Sequence, residues 1–218
     1  MLLYAITSRN LLPGTEQERC ASLIALVRGW GRGGVDYIQI REKDLPAPDL
    51  LALSRKIVTA VREESPVPRI LVNGPAEIAL AAKADGVHLP ASAPAHAADL
   101  ARQAFQSAGR ECIISRSCHS LEEIRAADTP SLLVFAPVFE KIMEQESRPG
   151  VGLHALKEAC HAAAPTPVIA LGGITAANAP ACIGAGAAGV AGIRLFLGHE
   201  WRTLPHSDFD FLAGSGRM

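Results

Sequence analysis

The strongest constraint on this chain is a repeated alternation of short apolar runs with amphipathic, alanine-rich stretches. Eight runs carry a strand signature: Leu2–Thr7, Tyr37–Arg41, Arg69–Asn73, Gly86–Leu89, Cys112–Arg116, Leu132–Ala136, Val168–Leu171 and Gly189–Ile193. Helical spacing fills the gaps, at Glu16–Gly31, Pro48–Glu63, Pro75–Ala84, Ala95–Ser107, Leu121–Ala127, Leu153–Ala162 and Ala176–Gly184, with a short helix expected after Pro205. Strand followed by helix, repeated about eight times in 218 residues, predicts an α/β fold: a single TIM (β/α)8 barrel over residues 1–218, its last helix shortened. A doubly wound open sheet is the competitor. It usually needs fewer strands and often carries G-x-G-x-x-G after its first strand, which is absent here. The longest irregular stretch, Phe139–Gly152, is charged and glycine-containing and is expected to act as a mobile lid.

Composition narrows the function classes. With 49% hydrophobic and 20% charged residues, the chain reads as a soluble globule rather than a disordered segment. A formal net charge of -1 argues against general affinity for nucleic acid, while leaving room for a local basic pocket. The five cysteines, Cys20, Cys112, Cys118, Cys160 and Cys182, are scattered and form no C-x-x-C pair, so reduced thiols are expected and a zinc site is not. The start, MLLYAITSRN, lacks the basic flank and apolar length of a secretory leader, and no apolar run is long enough to cross a bilayer. The expected compartment is the cytoplasm, with no membrane or nucleic-acid partner; a homo-oligomer is compatible with the sequence.

In such a barrel the strand C-termini share one face, and chemistry belongs there. Ile114 to Glu123 (ISRSCHSLEE) is the most informative segment. Ser120-x-x-Glu123 fits a capping box at a helix start, so His119 stands between a strand end and that helix, placed to act as a proton acceptor. Ser117 precedes it on the same strand end. Gln39 and Arg41 alternate on one side of the second strand, with Lys43 just beyond. The cations suit an anionic ligand, or alternatively pair with Glu42 or Asp44 at the surface. Gly172-Gly173 and Gly192-Ile193 end the seventh and eighth strands, where barrel loops hold phosphate through backbone N–H groups; the alternative is a plain tight turn. Asn73-Gly74 is a turn signal that also places an amide at the mouth. His88 either lines the pocket or is packed and hydrogen-bonded. Cys118 stands near a helix start, but no motif supports covalent chemistry there.

These segments together resemble the thiamin phosphate synthase / TenI family. The matching pieces are YAIT, IQIREK, ILVNG, DGVHLP, ISRSCHS, FAPVF, PVIALGGI and GAGAAGVAGI, in family order from Tyr4 to about Ile193. The resemblance implies a TIM barrel and a role in thiamin biosynthesis or salvage. It also implies two candidate activities. The synthase couples a pyrimidine diphosphate to a thiazole phosphate, with Mg²⁺ held by two aspartates. Here Gly74 stands at the first of those positions, and Pro90-Ala-Ser-Ala93 replaces the stretch that holds the second. The loop after the sixth strand, Glu140-Lys-Ile-Met-Glu144, also departs from the family's threonine- and lysine-rich pattern.

The TenI-like thiazole tautomerases look closer, in the N-G after strand three, the H-L-P after strand four and R-S-x-H-S-L-E-E around His119. They aromatise a thiazole carboxylate phosphate and need no metal. Carried over, His119 is the acid/base and Arg41 meets the carboxylate or phosphate. Gln39, Lys43, Asn73, His88 and Ser117 line the substrate; Gly172, Gly173, Gly192 and Ile193 hold phosphate. The expected substrate is a small thiazole phosphate, with no cofactor. Two rivals stand beside this expectation. One is a synthase with metal ligands rearranged onto Asp44, Glu77 or Glu144; the other is a non-catalytic thiazole phosphate binder.

Overall fold

A computed structural model of the chain describes residues 1–64, 67–142 and 147–205. Eight parallel strands close into a barrel, each paired with the next and the eighth with the first. They are β1 (Leu2–Ile6), β2 (Tyr37–Ile40), β3 (Arg69–Val72), β4 (Gly86–Leu89), β5 (Ile113–Cys118), β6 (Leu132–Phe135), β7 (Val168–Ala170) and β8 (Gly189–Gly192). The helices are α1 (Glu16–Arg32), α2 (Ala47–Arg62), α3 (Ala76–Ala81), α4 (Ala97–Ser107), α5 (Leu121–Arg125), α6 (Gly152–Ala163), α7 (Ala179–Gly184) and α8 (Arg194–Leu197). Among the described residues, no helix is long and apolar enough to cross a membrane.

The two-residue period of a strand divides the side chains into two cores. Leu2, Tyr4, Ile6, Tyr37, Leu71, Leu132, Val134, Ile169 and Ala191 fill the barrel interior. Their neighbours, among them Leu3, Ile38, Ile70, Val87, Ile114, Leu133, Val168 and Val190, pack outward against the helices. Register keeps the inner residues level: Ile6 is opposite Gln39, Gln39 opposite Leu71, His88 opposite Ser115, and Ser117 opposite Val134. Gly86 is needed for close strand approach, because a Cβ there would lie 1.8 Å from the Ile113 carbonyl oxygen.

The differences from expectation have local causes. Strand β5 runs on to Cys118, because Ser117 and Cys118 pair with Val134 and Phe135. Helix α7 begins at Ala179 rather than Ala176. Before it, Thr175 N–H donates to Asn178 Oδ1 at 2.8 Å and Asn178 N–H donates to Thr175 Oγ1 at 3.2 Å, closing a turn. The stretch expected to be wholly irregular, Phe139–Gly152, holds an antiparallel ribbon of Lys141–Ile142 with Ser147–Arg148. At its neck, Val151 N–H donates to Pro137 and Gly152 N–H to Val138, both at 2.9 Å. Residues 143–146 of the expected lid lie outside the described residues.

The eighth helix is short, as expected, but it follows β8 directly. The segment after Pro205, where a helix was expected, lies outside the described residues. A 3-10 turn, Glu200–Thr203, completes the ending and carries Trp201. That ring is 1% exposed and lies 5.6 Å from the Phe196 ring, centroid to centroid. Trp30 Nε1–H donates to the Phe196 carbonyl at 2.8 Å, tying the ending to α1. The apolar residues Leu195, Phe196, Trp201 and Leu204 therefore seal the gap between β8 and α1.

Truncating this closure should be expensive. Trp201→Ala is expected to lower the unfolding free energy by roughly 3–5 kcal/mol in urea titration, the usual range for a buried tryptophan. A loss below about 1 kcal/mol would show that the ending is not part of the core.

Candidate active site

Two buried polar networks shape the C-terminal mouth of the barrel. The first joins the ends of β1 and β2. Thr7 Oγ1–H donates to Glu42 Oε1 at 2.6 Å, and Arg41 N–H donates to Thr7 Oγ1 at 2.9 Å. Glu42 also accepts from the Arg9 backbone N–H at 3.2 and 3.1 Å, and from Arg9 Nη1 at 3.1 Å. The Arg9 guanidinium, 4% exposed, further donates to Glu16 at 2.6 Å and to both Asp44 oxygens at 2.7 Å. The Asp44 carboxyl is accordingly held well below the usual carboxylate range, chiefly by Arg9. Nothing in the sequence had singled out Arg9. Its signal was only that three carboxylates in two neighbouring loops need a cation if any of them is buried.

This network settles where the nearby charges go. Glu42 and Asp44, the surface partners considered for Arg41, bond Arg9 instead. Arg41 is half-buried and makes no ion pair among the described residues, and burial pulls its guanidinium below the ordinary arginine range. Lys43, two residues further on, is exposed. Gln39 is 1% exposed, inside the barrel, and its Nε2 donates to no acceptor among the described residues. Asn73 is half-buried at the end of β3, its N–H donating to the Ile40 carbonyl at 2.9 Å.

The second network crosses the barrel interior from β1 to β5 and β4. The Tyr4 hydroxyl and Ser115 Oγ are 2.9 Å apart, Ser115 Oγ and His88 Nδ1 2.7 Å, and His88 Nε2 and Ser117 Oγ 3.0 Å. His88 is thus in its packed, hydrogen-bonded arrangement, and any influence on a ligand runs through Ser117. Burial, with Arg41 adding to it, pushes the His88 imidazole down to about 3. Burial raises the Tyr4 phenol above its ordinary range. Cys118 is buried, and burial with Glu123 pushes its thiol up to about 11, so it rests as an unreactive thiol.

His119 stands just past β5 with an exposed ring. Its Nδ1 lies 2.7 Å from the Ala136 carbonyl oxygen at the end of β6. A carbonyl only accepts, so Nδ1 carries the proton, and the neutral ring has its lone pair on Nε2. Half of the expected capping box forms: Ser120 Oγ accepts from Glu123 N–H at 3.2 Å. Glu123 reaches one residue further back than a capping box requires, taking the His119 N–H at 2.6 Å. Helix α5 has only five residues, so the ring is oriented by Ala136 and its backbone by Glu123, rather than by a helix field.

Beyond the neighbouring β6, at the end of β7, Gly172 and Gly173 adopt φ of +101 and +62. A Cβ at Gly172 would lie 2.6 Å from Pro137 Cα, and one at Gly173 2.6 Å from the Glu140 carbonyl oxygen, so the pair serves a tight turn against the β6 loop. The Leu171 and Gly172 carbonyls accept from Val138 and Phe139 at 2.9 and 3.0 Å, and Asn178 Nδ2 donates to the Gly173 carbonyl at 2.9 Å. The N–H groups of Gly172, Gly173 and Ile193, by contrast, donate to no acceptor among the described residues. Gly192 ends β8 beside them, buried.

The donor set for Mg²⁺ was tested against these positions. Gly74 and Pro90–Ala93 bring no carboxylate. Glu42 and Asp44 are engaged by Arg9, and Glu77 lines a crevice of about 240 Å³ on the barrel's outside between α3 and α4. Glu144 lies outside the described residues. Among the described residues no three His, Cys, Asp or Glu side chains converge as a metal site. The described residues therefore do not fit a carboxylate-held magnesium, which prefers such hard oxygen ligands.

The family model described as thiamine monophosphate synthase matches residues 3–196. A thiamine-phosphate synthase of Methanoculleus marisnigri is 35% identical over 199 residues, spanning 90% of this chain and 87% of that protein. One of Roseiflexus castenholzii is 34% identical over 199 residues, spanning 90% and 81%. The solved thiamine phosphate pyrophosphorylase of Pyrococcus furiosus superposes with a TM-score of 0.73 at 27% identity, over 92% of this chain and 90% of that one.

The buried imidazole makes stability depend on pH. The unfolded His88 takes a proton as pH falls below its ordinary 6.5, whereas the folded one stays neutral down to about 3. Its contribution is therefore complete above about pH 6.5 and is lost as pH falls toward the folded value. Urea unfolding at pH 7.5 and pH 5 should show a steep loss in the wild type and a shallower one in His88→Gln. Equal losses would show that His88 protonates as readily in the fold as outside it.

Proposed function

This chain belongs to the thiamine monophosphate synthase family, and within it we propose a metal-independent thiazole tautomerase that aromatises a thiazole carboxylate phosphate. The observation that carries the reading is the His119–Ala136 bond, which leaves Nε2 as the acceptor at a mouth whose carboxylates Glu42 and Asp44 are engaged by Arg9. His119 Nε2 takes the proton from the ring carbon. The freed electron pair enters the ring, and the exocyclic double bond accepts a proton at its outer carbon, returned by the same imidazolium. Arg41, without an ion pair among the described residues, meets the carboxylate. The N–H groups of Gly172, Gly173 and Ile193, beside Gly192, hold the phosphate. Gln39 offers its free Nε2 to the ring from below, Asn73 and Ser117 flank it, and His88 acts through Ser117. Lys43 is left to attract the anion from outside.

The names of the relatives favour a second reading, the coupling of a pyrimidine diphosphate to a thiazole phosphate as in a thiamine-phosphate synthase. Against it stands the missing donor set. Diphosphate departure needs a counter-charge, and Arg41 alone is a small replacement for a divalent ion.

One pair of assays separates the readings. Wild-type protein, given the non-aromatic tautomer in EDTA, is expected to accelerate aromatisation, and His119→Asn to remove roughly 10²–10⁴ of that gain. An unchanged rate in the variant would remove His119 from the mechanism. Product from pyrimidine diphosphate, thiazole phosphate and Mg²⁺ at useful turnover would make the transferase the function. Binding of thiazole phosphate with turnover in neither assay would leave a non-catalytic binder.

A further inference from the structure

The interior chain Tyr4–Ser115–His88–Ser117 has two conceivable proton orders, and burial selects between them. Tyr4 and Ser115 are both 0% exposed, and among the described residues neither hydroxyl has a hydrogen-bond partner outside this network. If Ser117 donates to His88 Nε2, then His88 Nδ1–H donates to Ser115, only one of the Ser115 and Tyr4 hydroxyls can donate to the other, and the remaining O–H is stranded. If Tyr4 donates to Ser115, then Ser115 donates to Nδ1, and Nε2–H donates to Ser117, with no buried donor left over. A stranded buried donor is costly, so the second order prevails.

We propose that Ser115 is a positioning residue that locks His88 as its Nε2–H tautomer and so turns the Ser117 hydroxyl outward as a donor into the barrel mouth. Ser117 accepts from His88, and a hydroxyl that accepts becomes a better donor. Residue 119 follows two positions later, just past β5, with its ring held by the Ala136 carbonyl at the end of β6. The end of β5 therefore offers a donor at Ser117 beside an acceptor at His119 Nε2. The donor stabilises negative charge developing on the substrate while the acceptor removes its proton. The hydrogen-bond order stands apart from the reaction, but its effect on turnover rests on the tautomerase reading.

Long-range ¹H–¹⁵N spectra of the full chain, labelled at histidine and assigned with His88→Gln, read the tautomer directly near pH 7. His88 should be bare at Nδ1 and protonated at Nε2. Tyr4→Phe should leave that pattern intact, because Nδ1 remains the acceptor for Ser115. A His88 protonated at Nδ1 in the wild type would overturn the proposal. In the aromatisation assay, Ser115→Ala should lower kcat by about tenfold, the scale of one lost hydrogen bond, with little change in KM. Ser115→Thr, which keeps the hydroxyl, should recover most of the loss. An unchanged kcat in Ser115→Ala would overturn the positioning role. If the wild type turned over no thiazole tautomer, the reaction assignment would fail, and the spectra alone would decide the hydrogen-bond order.

Discussion

Closing eight parallel strands into one barrel leaves no sheet edge and gives every second side chain a shared interior. The rest of the molecule depends on that closure. A group placed inside is cut off from water and must find its partners among residues distant in sequence. Tyr4 and Ser115 bond across 111 positions of chain, on strands facing one another through the barrel. Apolar residues fill most of the interior, and polar ones gather toward the strand C-termini, where the chain turns outward.

Charge at the mouth is arranged by the same pressure. Three acidic side chains surround Arg9, and one of them, Glu42, is almost fully buried. Removing Arg9 would leave the buried Glu42 charge uncompensated. The arrangement keeps Arg41 beside His88 without an ion pair among the described residues, so its charge is available to an anion. A cation that stays half-buried, a rim of N–H groups without acceptors among the described residues, and a histidine with a fixed tautomer are the features the proposed proton transfer on a small anionic ring would use. They suit diphosphate departure poorly, although the relatives' names point that way.

Much of this was legible in the chain itself. The strand–helix alternation predicted the barrel, and its eight strands fall where the apolar runs do, because a buried parallel strand needs a short apolar run bounded by turn residues. Boundaries drifted where side chains override propensity: at Thr175 and Asn178, which close a turn before α7, and at Ser117, which is drawn into β5 by pairing with β6. The short α8 and the Glu200–Thr203 turn were not read from the sequence, because Leu195, Phe196 and Trp201 are too few to show a helical period, and their role is visible only once Phe196 packs between Trp30 and Trp201. The residues of the site were named from strand ends. Their bonds were not readable, since which carboxylate goes to Arg9 and which nitrogen of His88 meets Ser115 depends on contacts between distant strands.

The account turns on an imidazole at residue 119 that presents Nε2 to an anionic ring without help from a divalent ion. A crystal structure of the protein with thiazole carboxylate phosphate, grown in the presence of Mg²⁺, tests this most directly. The ring carbon that loses its proton should lie about 3–3.5 Å from His119 Nε2, with the carboxylate on Arg41 and no metal at the rim. A His119 ring turned away from the ligand, or a magnesium ion bridging it to the protein, would contradict the account.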